Sequence, residues 1–162
     1  MVTARADYRV KSRHGVTPKE CVDDARSAVR WFRENAGKLG VDPNRIVASG
    51  GSAGGHIAAC TTLMPEEELK DEKVSCKANA LILFNPVLRF GPQMLQRINN
   101  DEAIGIGIHH PLFGKALKEK MDALNIPCEV VAAGKRLGGG TPTKAIDFLI
   151  ENLGLKKGRT AN

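Results

Sequence analysis

No apolar run in this chain approaches the roughly 18 residues that a helix needs to cross a bilayer, so nothing in it reads as a membrane span. Nor does a basic, then apolar leader precede the first structured segment. The chain therefore reads as soluble and cytoplasmic. The four cysteines, Cys21, Cys60, Cys76 and Cys128, show neither a Cys-x-x-Cys pair nor zinc-like spacing. Three of them, Cys21, Cys60 and Cys128, fall in apolar stretches and read as buried free thiols. No metal or organic cofactor is expected. Internal repeats and long low-complexity linkers are absent. Aromatic residues make up only 4% of the chain, and none of the four histidines lies beyond His110.

What is present is an ordinary globular composition, 42% hydrophobic and 26% charged over 162 residues. That length suits one domain, expected over residues 1–155, followed by a disordered basic tail over 156–162. The formal net charge is +6. A basic balance can signal a nucleic-acid or anionic-membrane partner, but here Lys and Arg are spread along the chain and mixed with Asp and Glu. The one short basic run, Lys156-Lys157-Gly158-Arg159, lies in the tail. Neither a nucleic acid nor a membrane is expected as partner.

Residues 2–10 are β-prone and predict a first strand, followed by a loop over 11–16. Thr17-Pro18-Lys19-Glu20 is a strong helix start, with Thr17 as N-cap, Pro18 at the first helical position and Glu20 closing a capping box. Cys21, Ala25, Ala28, Val29 and Phe32 follow at helical spacing, with Gly37 and Gly40 as stops. Residues 45–49 predict a brief strand and Ile57 to Leu63 a helix stopped by Pro65. Residues 66–73 read as a charged surface segment. Ala80 to Phe84 is a continuous apolar run, as in a strand buried on both faces, ended by Asn85-Pro86. Residues 92–98 suggest a short helix, 113–124 an amphipathic helix, 128–132 a strand, and Thr141-Pro142 opens a last helix stopped by Gly154. Strands alternating with helices predict a mainly parallel sheet flanked by helices, an α/β class.

Gly50-Gly51-Ser52-Ala53-Gly54 lies between a predicted strand and a predicted helix. A Gly-x-Ser-x-Gly in that context can form a nucleophile elbow, a sharp turn that lifts a serine hydroxyl above the carboxyl ends of the strands. Gly50 and Gly54 supply the lack of bulk it needs, with Gly51 and Ala53 adding room. The helix that follows aims its unpaired N–H groups and positive dipole end at the same place, so the Ala53 N–H is a ready oxyanion donor. The competing readings are a turn used only for close packing, or one that cradles a phosphate. No Gly-Lys-Ser/Thr follows, which excludes a Walker A loop, and the spacing fits a dinucleotide fingerprint poorly.

The elbow with its flanks, Asp7-Tyr8-Arg9-Val10, Cys21-Val22-Asp23-Asp24-Ala25, Ala28-Val29-Arg30-Trp31, Asp42-Pro43-Asn44-Arg45-Ile46 and Gly50-Gly51-Ser52-Ala53-Gly54-Gly55-His56, resembles the hormone-sensitive-lipase-like esterases of the α/β-hydrolase superfamily. The likeness is close over residues 1 to about 88 and weaker beyond. It implies a reduced α/β-hydrolase fold and a serine ester hydrolase with a Ser–Asp–His triad in that chain order. The departures are as informative as the match. The His-Gly-Gly motif, the His-Gly-x-x-Asp turn and the late histidine of such esterases have no counterpart, and Gly134-Lys135-Arg136-Leu137-Gly138-Gly139 stands where a Gly-His-Gly would be.

Ser52 needs a base to be nucleophilic near neutral pH. His14 reads as an exposed loop residue, and His56, within the elbow pattern, as structural. His109 and His110 lie where active-site loops of such folds sit, and either is a candidate base; Asp101, just upstream, is the candidate to orient it. Gly138-Gly139-Gly140-Thr141-Pro142, beside Lys135 and Arg136, reads as a flexible turn with a Thr N-cap, an anion site being the rival reading. The expected function is a carboxylesterase or lactonase-like hydrolase of a small-molecule ester: Ser52 forms an acyl-enzyme, Ala53 holds the oxyanion, and Asp101 with His109 or His110 completes the relay. The rival is a catalytically inactive relative serving as a binding or scaffold module. A homodimer covering the edge of the first strand is a further expectation.

Overall fold

The computed structural model describes residues 1–64, 73–88, 112–131 and 141–155. It divides after Pro86 into two units, taken in turn below.

In the first unit a one-turn helix, α1 (Lys11–His14), forms where a loop was expected. It is closed by Gly15 in the left-handed region, φ 68°. The long helix α2 (Pro18–Glu34) begins as its sequence dictates. The Thr17 backbone N–H donates to Glu20 Oε2 at 3.0 Å, the Thr17 hydroxyl pairs with the same carboxylate, and Pro18 occupies the first turn. It ends at Glu34, three residues before Gly37. Asn35 closes it by turning its side-chain amide back onto the Trp31 carbonyl (2.8 Å). A separate short turn, α3 (Ala36–Leu39), then runs to Gly40, φ 64°.

Strand β1 (Val47–Gly51) pairs in parallel with β2 (Ala80–Phe84), Val47 opposite Ala80 and Gly51 opposite Phe84. The apolar run over 80–84 is the strand it was read to be, although its residues are half-buried rather than fully buried, and Phe84 is exposed. Strand β1 lies two residues later than expected. Propensity stops it at the glycines, whereas pairing carries it through Gly50 and Gly51 to Leu83 and Phe84. Helix α4 (Ala53–Leu63) packs on both strands and on α2, burying Gly55, Ile57, Ala58, Ala59, Cys60 and Thr61. Val22 of α2 meets Ile57 and Cys60 in the small core there, with Tyr8, Cys21 and Ala25 against its rim. The helix stops two residues short of Pro65, as a proline disfavours helical geometry in the residue before it.

Residues 2–10 form no strand, contrary to the expectation. The polar groups of Arg9 are met by α2 instead of by a neighbouring strand. The Arg9 N–H donates to Asp24 Oδ2 (2.9 Å), its guanidinium grips the same carboxylate (2.7 Å to Oδ1), and its carbonyl accepts from the Cys21 thiol (3.1 Å). The Arg9 hydrogen bonds hold the Asp24 carboxyl below its ordinary pKa. Without a strand edge in this segment, the ground for expecting a second copy to pair there is gone.

Arg33, near the end of α2, gathers the entrances of both strands. Its Nε donates to the Pro43 carbonyl (3.0 Å), one terminal nitrogen to the Ser75 carbonyl, and the other to the Lys77 carbonyl (2.9 Å) and Asn79 Oδ1 (3.2 Å). Asn79 Oδ1 in turn accepts the Ile46 N–H (3.0 Å), and the Asn79 N–H donates back to the Ile46 carbonyl (2.7 Å). A planar five-donor fork suits this work and a lysine does not. Arg33→Ala is expected to cost about 2 kcal/mol, and so to lower the melting temperature by about 4–8 °C. Arg33→Lys should recover less than half of that loss. Differential scanning calorimetry of the two variants reads both values.

In the second unit, α5 (Leu112–Ala123) buries Phe113 and Ala116, and α6 (Thr141–Leu153) buries Leu149. Asn125, φ 55°, ends α5 while the Ile126 N–H closes onto the Met121 carbonyl (2.9 Å). Gly154, φ 59°, ends α6 as expected. Residues 128–131 form no strand, which corrects the expectation; residue 132 lies outside the described residues. The segment packs on helices instead. Val130 sits so close to Gly114 of α5 that a β-carbon there would come within 3.2 Å of Val130 Cγ1, and Glu129 lies 3.9 Å from Lys144 of α6. Among the described residues no helix is long and apolar enough to cross a membrane.

Candidate active site

Ser52 is the single residue between the last residue of β1, Gly51, and the first of α4, Ala53. Its backbone sits at φ 53°, ψ −119°. A β-carbon is strained there, at a cost of about 1–3 kcal/mol. Two hydrogen bonds hold it in place. The Ser52 N–H donates to the Phe84 carbonyl at the end of β2 (2.9 Å), and the Ser52 carbonyl accepts from the His56 N–H one turn into α4 (3.0 Å). The turn is thus stitched to the neighbouring strand on one side and to its own helix on the other. The half-buried serine side chain makes no capping bond to the first turn of α4.

The turn is this tight because β1 and α4 touch backbone to backbone. A β-carbon on Gly50 would lie 2.4 Å from the Gly54 carbonyl carbon, and one on Gly55 would lie 2.9 Å from the Gly50 oxygen and 3.2 Å from Pro86. Gly50 and Gly55 are the two glycines the geometry requires. Gly54 is not one of them: a β-carbon there meets no described atom beyond its own helix, so the role expected of Gly54 belongs to Gly55. Sequence spacing alone does not separate the two, because the contact is set by the angle at which α4 leaves the strand. Also missed was the part of β2's end. Phe84 supplies the carbonyl that fixes Ser52, and Asn85, φ 44°, turns the chain so that Pro86 packs on Gly55. The Asn-Pro pair marked the end of a strand in the sequence, and an asparagine there tolerates the left-handed region.

Ala53 is exposed at the N-terminus of α4. Its N–H is among the first four of the helix, which have no partner within it, and the helix dipole adds partial positive charge at the same point. A developing oxyanion on a group bonded to Ser52 would be stabilised there. His56 lies one turn along, half-buried, with Nε2 3.6 Å from the Cys60 thiol. Burial pushes the Cys60 thiol above its ordinary pKa, only partly offset by the Arg26 charge, so it stays protonated and inert at neutral pH. His14, in α1, accepts the Val10 N–H on Nδ1 (3.0 Å). Asp101, His109 and His110 lie outside the described residues, as do the segments 66–72, 92–98, 132–140 and 156–162. Thr141 is the first residue of α6 rather than its N-cap. No group of acidic, histidine and cysteine side chains suited to a metal occurs among the described residues.

A parallel strand pair, a strained serine on the turn into a packed helix, and helix N–H groups facing that serine define the nucleophile-bearing part of an α/β-hydrolase. The chain belongs to the BD-FAE family, whose model matches residues 1–128. It is similar to the carboxylesterase NlhH of Mycobacterium tuberculosis, at 43% identity over 58 residues, 36% of this chain and 18% of that protein. It is also similar to an arylesterase of Saccharolobus solfataricus, at 26% identity over 145 residues, 80% of this chain and 45% of that protein. In structure it resembles the thermophilic esterase Est2 of the planctomycete Thermogutta terrifontis, with a TM-score of 0.73 and 34% identity, covering 96% of this chain and 71% of that one. The chain thus spans less than half the length of these two curated relatives.

Proposed function

We propose that the chain carries the nucleophile of a serine ester hydrolase acting on a small-molecule ester in the cytoplasm. The carrying observation is the backbone of Ser52, held at φ 53° on the turn between β1 and α4 with the N-terminus of α4 beside it. The relatives named carboxylesterase, arylesterase and esterase support the same reading, and nothing among them supports an inactive scaffold. Ser52 Oγ attacks the acyl carbonyl as a histidine, His109 or His110, takes its proton. Asp101 orients that imidazole. The Ala53 N–H stabilises the tetrahedral oxyanion; the alcohol leaves with the proton, and water resolves the acyl-enzyme by the same route.

An organophosphate triester tests this directly. Attack of Ser52 Oγ on the phosphorus of paraoxon expels p-nitrophenolate and leaves a stable diethylphosphoryl serine. Mass spectrometry of a digest is expected to find that mass on the peptide containing Ser52 and nowhere else, with none on the Ser52→Ala variant. Label on another residue, or no label at all, overturns the proposal.

A further inference from the structure

Among the described residues, three that are not glycine have positive φ: Ser52, Asn85 and Asn125. Asn125 closes a helix, where the left-handed region is common. The other two stand together. The Ser52 N–H, at φ 53°, is bonded to the Phe84 carbonyl, and the peptide that begins with that carbonyl ends on Asn85, at φ 44°. One hydrogen bond and one planar peptide unit therefore join the two strained backbones.

The end of β2 touches the elbow twice. The Phe84 carbonyl holds the Ser52 N–H at 2.9 Å, and Pro86 lies against Gly55, where a β-carbon would come within 3.2 Å of its Cα and Cβ. Asn85 is the single residue between these contacts. Its φ and ψ are the soft torsions that connect the plane of the Phe84 carbonyl to Pro86. With Pro86 seated on Gly55, those two angles decide where the Phe84 oxygen points. An extended residue at position 85 would continue β2 along its own line and take Pro86 off Gly55. Extended backbone is what a following proline ordinarily imposes, so the left-handed turn here runs against two preferences at once. Asparagine bears that region better than most residues with a β-carbon.

Resting on the reading of Ser52 as the nucleophile, we infer that Asn85 is a positioning residue for it. Its left-handed turn closes residues 84–86 into a clasp that grips the elbow at Ser52 and at Gly55. The clasp aims the Phe84 carbonyl so that Ser52 keeps the backbone from which its hydroxyl attacks. Asn85 acts through its backbone and through Phe84, without touching substrate.

The test follows p-nitrophenolate release as paraoxon labels the serine, at saturating reagent, in three variants. The amplitude counts competent serines and the rate constant reports how well each is placed. Asn85→Gly takes the turn freely and should react within about 3-fold of the unmodified chain. Asn85→Val, β-branched and poorly suited to positive φ, should react roughly 10- to 100-fold more slowly, the scale of a small misplacement of a reacting group. Its amplitude should stay near one per folded chain. With p-nitrophenyl butyrate its loss should fall in kcat, with KM within about 3-fold. If Asn85→Val does not fold, Asn85→Ala is read against Asn85→Gly instead, with an expected slowing of about 5-fold. A valine or alanine variant as fast per site as the glycine variant overturns the inference. So does an amplitude that falls while the rate constant holds, which marks a merely structural role. An equal slowing in Asn85→Gly assigns the effect to the side chain and overturns it as well. Each of these results leaves Ser52 labelled and the esterase reading standing; an unmodified chain that releases no p-nitrophenolate overturns both.

Discussion

Ser52→Ala is expected to lower kcat for p-nitrophenyl butyrate by roughly 10⁴- to 10⁶-fold, to the residual rate that an oxyanion donor and binding alone provide. The fold should not notice the change. Alanine has the same β-carbon, sits under the same strain at φ 53°, and keeps both backbone hydrogen bonds to Phe84 and His56. The companion variant Ser52→Gly separates chemistry from stability. Glycine takes this backbone conformation without the 1–3 kcal/mol or so that a β-carbon costs, and gives back about 0.5–1 kcal/mol in chain entropy. The net gain is about 1 kcal/mol, or about 2–4 °C in melting temperature for a domain of this size. A Ser52→Gly variant that is inactive and melts higher than the parent is the expected outcome. One that melts lower would show that the hydroxyl or β-carbon carries packing that the backbone angles do not reveal.

The second large effect concerns stability alone. Gly50→Ala would set a methyl 2.4 Å from the Gly54 carbonyl carbon, 2.5 Å from its oxygen and 2.8 Å from the Gly55 nitrogen. All three are backbone atoms, so no rotamer change relieves the clash; β1 and α4 must separate. Overpacking typically costs about 1–3 kcal/mol where side chains can yield, and more is expected where they cannot. Gly50→Ala should therefore lose more than 3 kcal/mol or fail to accumulate as folded protein. Gly54→Ala is the control, four residues along the same motif. It meets no described atom outside its helix, and should be neutral or about 0.5–1 kcal/mol stabilising, as expected when a helical glycine gains a methyl. Urea unfolding of the pair measures the contrast. Equal losses in the two variants would refute the packing described for the elbow.

Much of this arrangement was legible because its signals are local. The capping box at Thr17 and Glu20, the apolar run from Ala80 to Phe84 and the glycine-flanked serine each carry their physics within a few residues. What was misread depends on partners far along the chain. Residues 2–10 and 128–131 have β-prone sequences, but a strand exists only where another strand offers its edge; one segment found the carboxylate of Asp24 instead, the other the bare surface of Gly114. The boundary of β1 moved for the same reason. The exchange of roles between Gly54 and Gly55 follows from the angle at which α4 leaves β1, which no local pattern states. Of the expected catalytic set, Ser52 and Ala53 stand at the strand-to-helix turn; Asp101, His109 and His110 remain readings of the sequence.

The hub at Arg33 has a consequence for how the molecule breathes. Its guanidinium bonds to residues 42, 44 and 46 positions away, and Asn79 at the same hub holds the backbone of Ile46 just ahead of β1. Loosening the segment around residues 75–79 therefore means undoing the end of α2 and the entrance of β1 in the same event. Those three stretches are expected to exchange their amide hydrogens as one cooperative unit, so that hydrogen-exchange rates at the amino end of the sheet fall together instead of residue by residue. The serine stands at the opposite end of both strands, and its amides are expected to exchange independently of that unit.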